Sequence, residues 1–168
     1  MYTGNYAQLM AEYNRWMNEK VYDACARLPD DERKRHRGAY FDSIHGTLNH
    51  ILWGDGIWLG RFNGKSYPTA PIREWLYQDF AAMRSARMEL DRELQTWAAG
   101  VSEEWLREAM TWKSGLYGVT KTHPRWVFVA QMFNHQTHHR GQVTTLLTQL
   151  DIDVGITDLP MLPLLLRE

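Results

Sequence analysis

Three histidines fall within five residues near the C-terminal end of this chain, in the run Asn134-His135-Gln136-Thr137-His138-His139-Arg140-Gly141-Gln142. Residues four apart on a helix share one face, one turn apart, so His135 and His139 present two imidazoles side by side. Neutral imidazoles in that arrangement hold a divalent transition metal, at roughly 2.0–2.1 Å for zinc. Such a centre needs at least one more protein ligand. The candidates are His45 and His50, in Ser43-Ile44-His45-Gly46-Thr47-Leu48-Asn49-His50-Ile51-Leu52. His50 is favoured. Gly46, Thr47 and Gly54 stand one turn from it and Ser43 two turns back, so its surroundings are mostly small side chains that leave room for a ligand. Trp53 is the exception and could wall a pocket. His45 sits beside Phe41, Leu48, Asn49 and Leu52, with no such clearing.

At about 100° per residue, Phe128, Met132, Val143, Leu146 and Leu150 form an apolar arc with His139 inside it and His135 at its edge. Two desolvated imidazoles without a partner would be costly, and a shared metal accounts for them. His138 falls on the other flank, beside the site or at the surface. Gln142 shares the stripe of His135 and is placed to reach a ligand. Arg140 points away, which suggests a surface or packing role. Asp55 interrupts an apolar stripe between Ile51 and Trp58-Leu59. It is a candidate acid or base, although a buried carboxylate bonded to another helix is the simpler reading. His36 and His123 lie in connections and read as solvated. Cys25 reads as a small core residue.

Four long helices must position these groups. Apolar spacing predicts helices over residues 6–28, 42–64, 72–99 and 124–150, the second opening at the N-cap pair Asp42-Ser43. Residues 31–37 are charged and read as a solvated connection. Residues 65–71 carry two prolines and read as a loop. Ser102 opens a short capped turn, and residues 110–122, with Gly115 and Gly118, read as an irregular hairpin. The tail carries Met161, Leu162, Leu164, Leu165 and Leu166, and is expected to pack on the body or on a partner chain. The predicted fold is all-α: a four-helix bundle with a short irregular hairpin before the last long helix, forming a single domain over residues 1–168.

Composition narrows the function. The 168 residues suffice for one domain with a real core. Lys plus Arg number 19 and Asp plus Glu 20, with no basic run, so a nucleic-acid partner is not expected. No signal peptide or membrane span is expected either. A single cysteine excludes an intrachain disulfide and a thiolate-rich zinc site, which suits a reducing cytoplasm. Glu-x-x-His pairs, Cys-x-x-Cys-His and His-Glu-x-x-His are all absent, which argues against di-iron, c-type haem and zincin chemistry.

The helix-two stretch Ser43 to Leu52, followed by the His135-x-x-x-His139-Arg140-Gly141-Gln142 run, resembles the DinB damage-inducible family of small metal-binding bundles, over nearly the whole chain. By that resemblance His50, His135 and His139 bind the metal, the same trio that helix geometry favours. The resemblance implies a zinc or nickel cofactor, with iron or manganese as further candidates, and a homodimer. It also implies kinship with thiol-dependent transferases. Three neutral imidazoles leave metal positions open, as in catalytic sites. The leading expectation is a metal-dependent enzyme, a transferase or hydrolase. It would act on a small-molecule substrate, with a low-molecular-weight thiol as one candidate. The alternative is a non-catalytic metal-binding stress-response protein that binds a ligand or partner.

Overall fold

The computed structural model describes residues 4–67, 71–115 and 117–166. Pro68, one of the two prolines assigned to the loop after the second long helix, lies outside them. Four long helices carry the fold: α1 (Gly4–Ala26), α3 (Ile44–Asn63), α4 (Phe80–Ala99) and α6 (Arg125–Thr148). Short helices α2 (Asp30–Lys34) and α5 (Glu103–Arg107) sit in the connections, and strands β1 (Ala109–Lys113) and β2 (Thr120–Pro124) precede α6. Helix α1 packs on α4 and α6, and α3 packs on α6 and α4. The contacts close a ring of four helices, the bundle that the apolar stripes require. Its core includes Val21 and Cys25 from α1, Leu48 and Leu59 from α3, Met83 and Leu94 from α4, and Met132 and Leu147 from α6.

The ends of α3 follow from local chemistry. The Ser43 hydroxyl accepts the Gly46 N–H at 2.9 Å, satisfying one of the orphan donors of the first turn. Gly64 ends the helix in the left-handed region, at φ 64°, where glycine carries no steric penalty. Asp42 does not share the capping role; it too is left-handed, at φ 66°. The predicted hairpin forms, with antiparallel register from Ala109–Pro124 to Lys113–Thr120. Ser102 caps α5 through the Trp105 N–H at 3.1 Å.

Two boundaries differ from expectation. The third long helix begins at Phe80 rather than near Ile72. The Tyr77 backbone is held by α3 instead: its N–H donates to Asn49 Oδ1 at 2.9 Å and its carbonyl accepts from Asn49 Nδ2 at 3.1 Å. Asp79 then starts α4, accepting the Ala82 N–H at 2.7 Å. Trp75 does pack, but on His45 from a non-helical segment. The charged stretch after α1, read as a solvated connection, carries a short helix over Asp30–Lys34. Asp30 pairs with Arg33 and Lys34 one turn away, and Arg33 is buried against the Leu28 carbonyl.

A polar cluster ties the four helices together inside the bundle. Arg87 on α4 lies 2.6 Å from Asp55 on α3 and 2.9 Å from Asp91. Asn14 and Asn18 on α1 donate to Asp91 at 3.1 and 3.0 Å. Arg140 on α6 donates to Asn14 Oδ1 and lies over the Tyr13 ring. Arg140 therefore points away from the histidine pair as expected, but not to the surface: it is buried. The flank of α6 about a quarter turn from the apolar arc, carrying Phe133, Gln136 and Arg140, is also buried and meets α1, which one helix's pattern does not reveal. Asp55 takes the simpler of its two readings, a buried carboxylate paired across helices. In the tail Leu162 is fully buried, whereas Leu164, Leu165 and Leu166 are exposed.

Candidate metal centre

His50 faces inward from the middle of α3, and His135 and His139 face it from successive turns of α6. Their candidate ligand nitrogens all lie within 4.8 Å of one another. The two Nε2 atoms of His50 and His135 are 2.9 Å apart. The His139 ring lies 4.6 Å from that of His50 and 4.5 Å from that of His135. Helix spacing alone brings the α6 pair together. Packing of α3 on α6 brings the third.

The environment keeps all three rings neutral. Burial, followed by the neighbouring His135 and His139, pulls the His50 pKa down to about 2. Burial and the rings beside it bring His135 to about 4. His139 is lowered by burial, against the opposing effect of its bond to Gln142. Neutral imidazole is the metal-binding form. His139 Nδ1 lies 2.7 Å from Gln142 Oε1. A carbonyl oxygen only accepts, so Nδ1 carries the proton and Nε2 presents its lone pair to the cluster. Outer-sphere bonds of this kind orient metal-binding histidines. With Nε2 nitrogens 2.9 Å apart and N–metal distances of about 2.1 Å, one cation between His50 and His135 would subtend close to a right angle. The donor set fits a divalent transition metal.

The other histidines lie elsewhere. His45 Nε2 donates to the Tyr77 carbonyl at 2.9 Å, and its ring packs on Trp75 at 4.5 Å. His138 is exposed and borders the site, its ring 4.7 Å from that of His139. His36 and His123 are exposed. Gln142 orients His139 and also lines the adjoining pocket.

The clearing expected around His50 has a different meaning. A Cβ on Gly46 would stand 2.2 Å from the Phe41 carbonyl oxygen, and one on Gly54 would stand 2.7 Å from His135 Cε1. These glycines permit close approach of backbone and ring rather than leaving space. Phe41, assigned to His45 by position, stacks on His50 with centroids 3.7 Å apart. The left-handed turn at Asp42 folds it back there. The open side lies further along α3, in a pocket of about 830 Å³ that reaches Trp53, Trp58, Arg61 and the hairpin residue Trp112. Trp53 walls it, as expected, and stacks on His50 at 5.5 Å. Arg61 and Trp112 had no signal near a histidine motif and were not anticipated.

Gly54→Ala tests this geometry with opposed effects. Alanine favours the helix by about 1 kcal/mol over glycine, but its methyl displaces the His135 ring. We expect unchanged or slightly raised thermal stability together with metal affinity at least about tenfold weaker, read by competition titration against a chromophoric chelator. Unaltered affinity would show that His135 does not bind from its observed position.

Known proteins share this architecture. The family model described as DinB family matches residues 1–164. Protein DinB of Bacillus subtilis is 26% identical over 159 residues, covering 92% of this chain and 91% of that protein. The crystal structure of a DinB-like protein from Bacillus cereus superimposes with a TM-score of 0.63 at 17% identity, covering 84% of this chain and 90% of that one. At that identity the likeness is one of fold.

Proposed function

The chain belongs to the DinB family, and on that footing we propose that it is a divalent-metal-dependent enzyme acting on a small molecule at His50, His135 and His139. The observation that carries this reading is the convergence of three neutral imidazoles beside an open pocket of drug-sized volume. Structural zinc sites are closed by four protein ligands, whereas three ligands and open space are the catalytic form. A bound cation would supply Lewis acidity and lower the pKa of a water or thiol toward neutrality. The protein supplies the rest. Gln142 holds the His139 proton on Nδ1. Phe41 and Trp53 lie against His50 and keep water from that side. The pocket walls hold a substrate against the open face.

A thiol S-transfer to an electrophile is the finer form of the reading, with zinc or nickel as the metal. The single cysteine supports a cytoplasmic setting, and no helix among the described residues is long and apolar enough to cross a membrane. The exposed Leu164, Leu165 and Leu166 support a homodimer. Elemental analysis of the purified protein, followed by turnover assays of the loaded protein with paired thiols and electrophiles, tests the proposal. One metal per chain and metal-dependent conjugation are expected. Full loading without turnover across the panel would leave a metal-binding stress protein without catalysis.

A further inference from the structure

The lining of the pocket indicates what it selects. Among the described residues, no aspartate or glutamate lines it, and Arg61 is the one arginine or lysine that does. Three neutral imidazoles would leave the two positive charges of a divalent cation uncompensated. Arg61 adds a third. Its guanidinium lies 4.8 Å from the Trp58 ring centroid, and no carboxylate pairs with it among the described residues. Burial lowers its pKa with no anion to oppose the effect.

Position along α3 supplies a length. Arg61 follows His50 by eleven residues, which is three turns plus about 20°, so both stand on one stripe of the helix. The rise between them is about 16 Å, and the lean of helical side chains toward the N-terminus brings the guanidinium back over Trp58. Ile57 stands on the stripe between them, Trp53 and Trp58 flank it on either side, and all three line the same pocket. The result is an apolar, aromatic trough with a candidate metal centre at one end and an unpaired guanidinium toward the other.

Resting on the metal reading above, we propose that this trough takes an elongated organic carboxylate. Its reacting end lies at the His50–His135–His139 cluster, its flat apolar body lies along Trp53 and Trp58, and its carboxylate is held by Arg61. The test uses a benzohydroxamate, whose hydroxamate chelates metals, bearing a terminal carboxylate on a para three-carbon chain. The matching primary amide serves as its neutral control. Affinities for zinc-loaded protein and for Arg61→Met are measured by calorimetry, with zinc content and thermal midpoint recorded for both. The acid should bind at least about tenfold more tightly than the amide, as a charge-assisted bond implies. Arg61→Met should reduce that ratio to about one, leaving zinc content and amide affinity unchanged, and Arg61→Lys should restore part of it. Equal binding of acid and amide by a zinc-loaded protein, or a preference that survives Arg61→Met, overturns the carboxylate assignment alone. A protein that takes up no zinc overturns the metal reading and this proposal with it.

Discussion

Replacing His135 with alanine should abolish stoichiometric metal binding while leaving the bundle folded. His135 supplies one of three convergent nitrogens, 2.9 Å from its counterpart on His50. Loss of an outer hydrogen-bond partner already costs about 10–100-fold in metal affinity, so loss of a ligand should exceed about 100-fold. Folding should survive because His135 is half-buried rather than central to the core, and alanine is the best helix former. His50→Ala and His139→Ala should behave alike, whereas His45→Ala should lose stability but keep its metal, since His45 is committed to the Tyr77 carbonyl. Metal content per folded chain, with helicity followed by circular dichroism, checks all four. Full metal content in His135→Ala would sink the assignment.

Arg87→Met should be the most destabilising change in the interior, by about 3–5 kcal/mol in urea unfolding. The guanidinium is 2% exposed, and its partners Asp55 and Asp91 are 0% and 3% exposed, so its removal leaves buried Asp55 without its cation and Asp91 with only the Asn14 and Asn18 amides. A buried ion pair contributes little net stability, but breaking one by removing a partner is costly. The deficit should also depend on pH. Burial raises Asp55 to about 6 even with Arg87 beside it; without Arg87 the folded-state value rises further. Between the unfolded value, about 4, and pH 6, wild type and variant lose the same stabilisation from a protonated Asp55. Above pH 6 the wild-type carboxylate has ionised and its loss ends, while the variant continues to lose. The difference between the two proteins should therefore widen from pH 6 to pH 8. A constant difference would place the cost in packing rather than in charge.

The four-helix architecture was legible because each long helix carries an apolar stripe of the right period and the caps at Ser43, Gly64 and Ser102 are local chemistry. The α4 start was not. Trp75 and Leu76 continue the helical period, and only the capture of the Tyr77 backbone by Asn49 and His45 pulls that segment out of phase. Local period cannot register a competing partner 28 residues away.

The site divides along the same line. Its chemistry was set by residue type and spacing: four positions on one helix bring His135 and His139 together whatever surrounds them. Which histidine completes the trio followed from an argument about open space, and His50 is the one that joins them, although the glycines beside it are filled by Phe41 and His135 rather than open. The burial of Arg140, the stacking of Phe41 and the joining of Arg61 to the histidines by one pocket depend on which helices adjoin. Those contacts link residues distant in the chain, and only the packing of α1, α3, α4 and α6 around one another decides them.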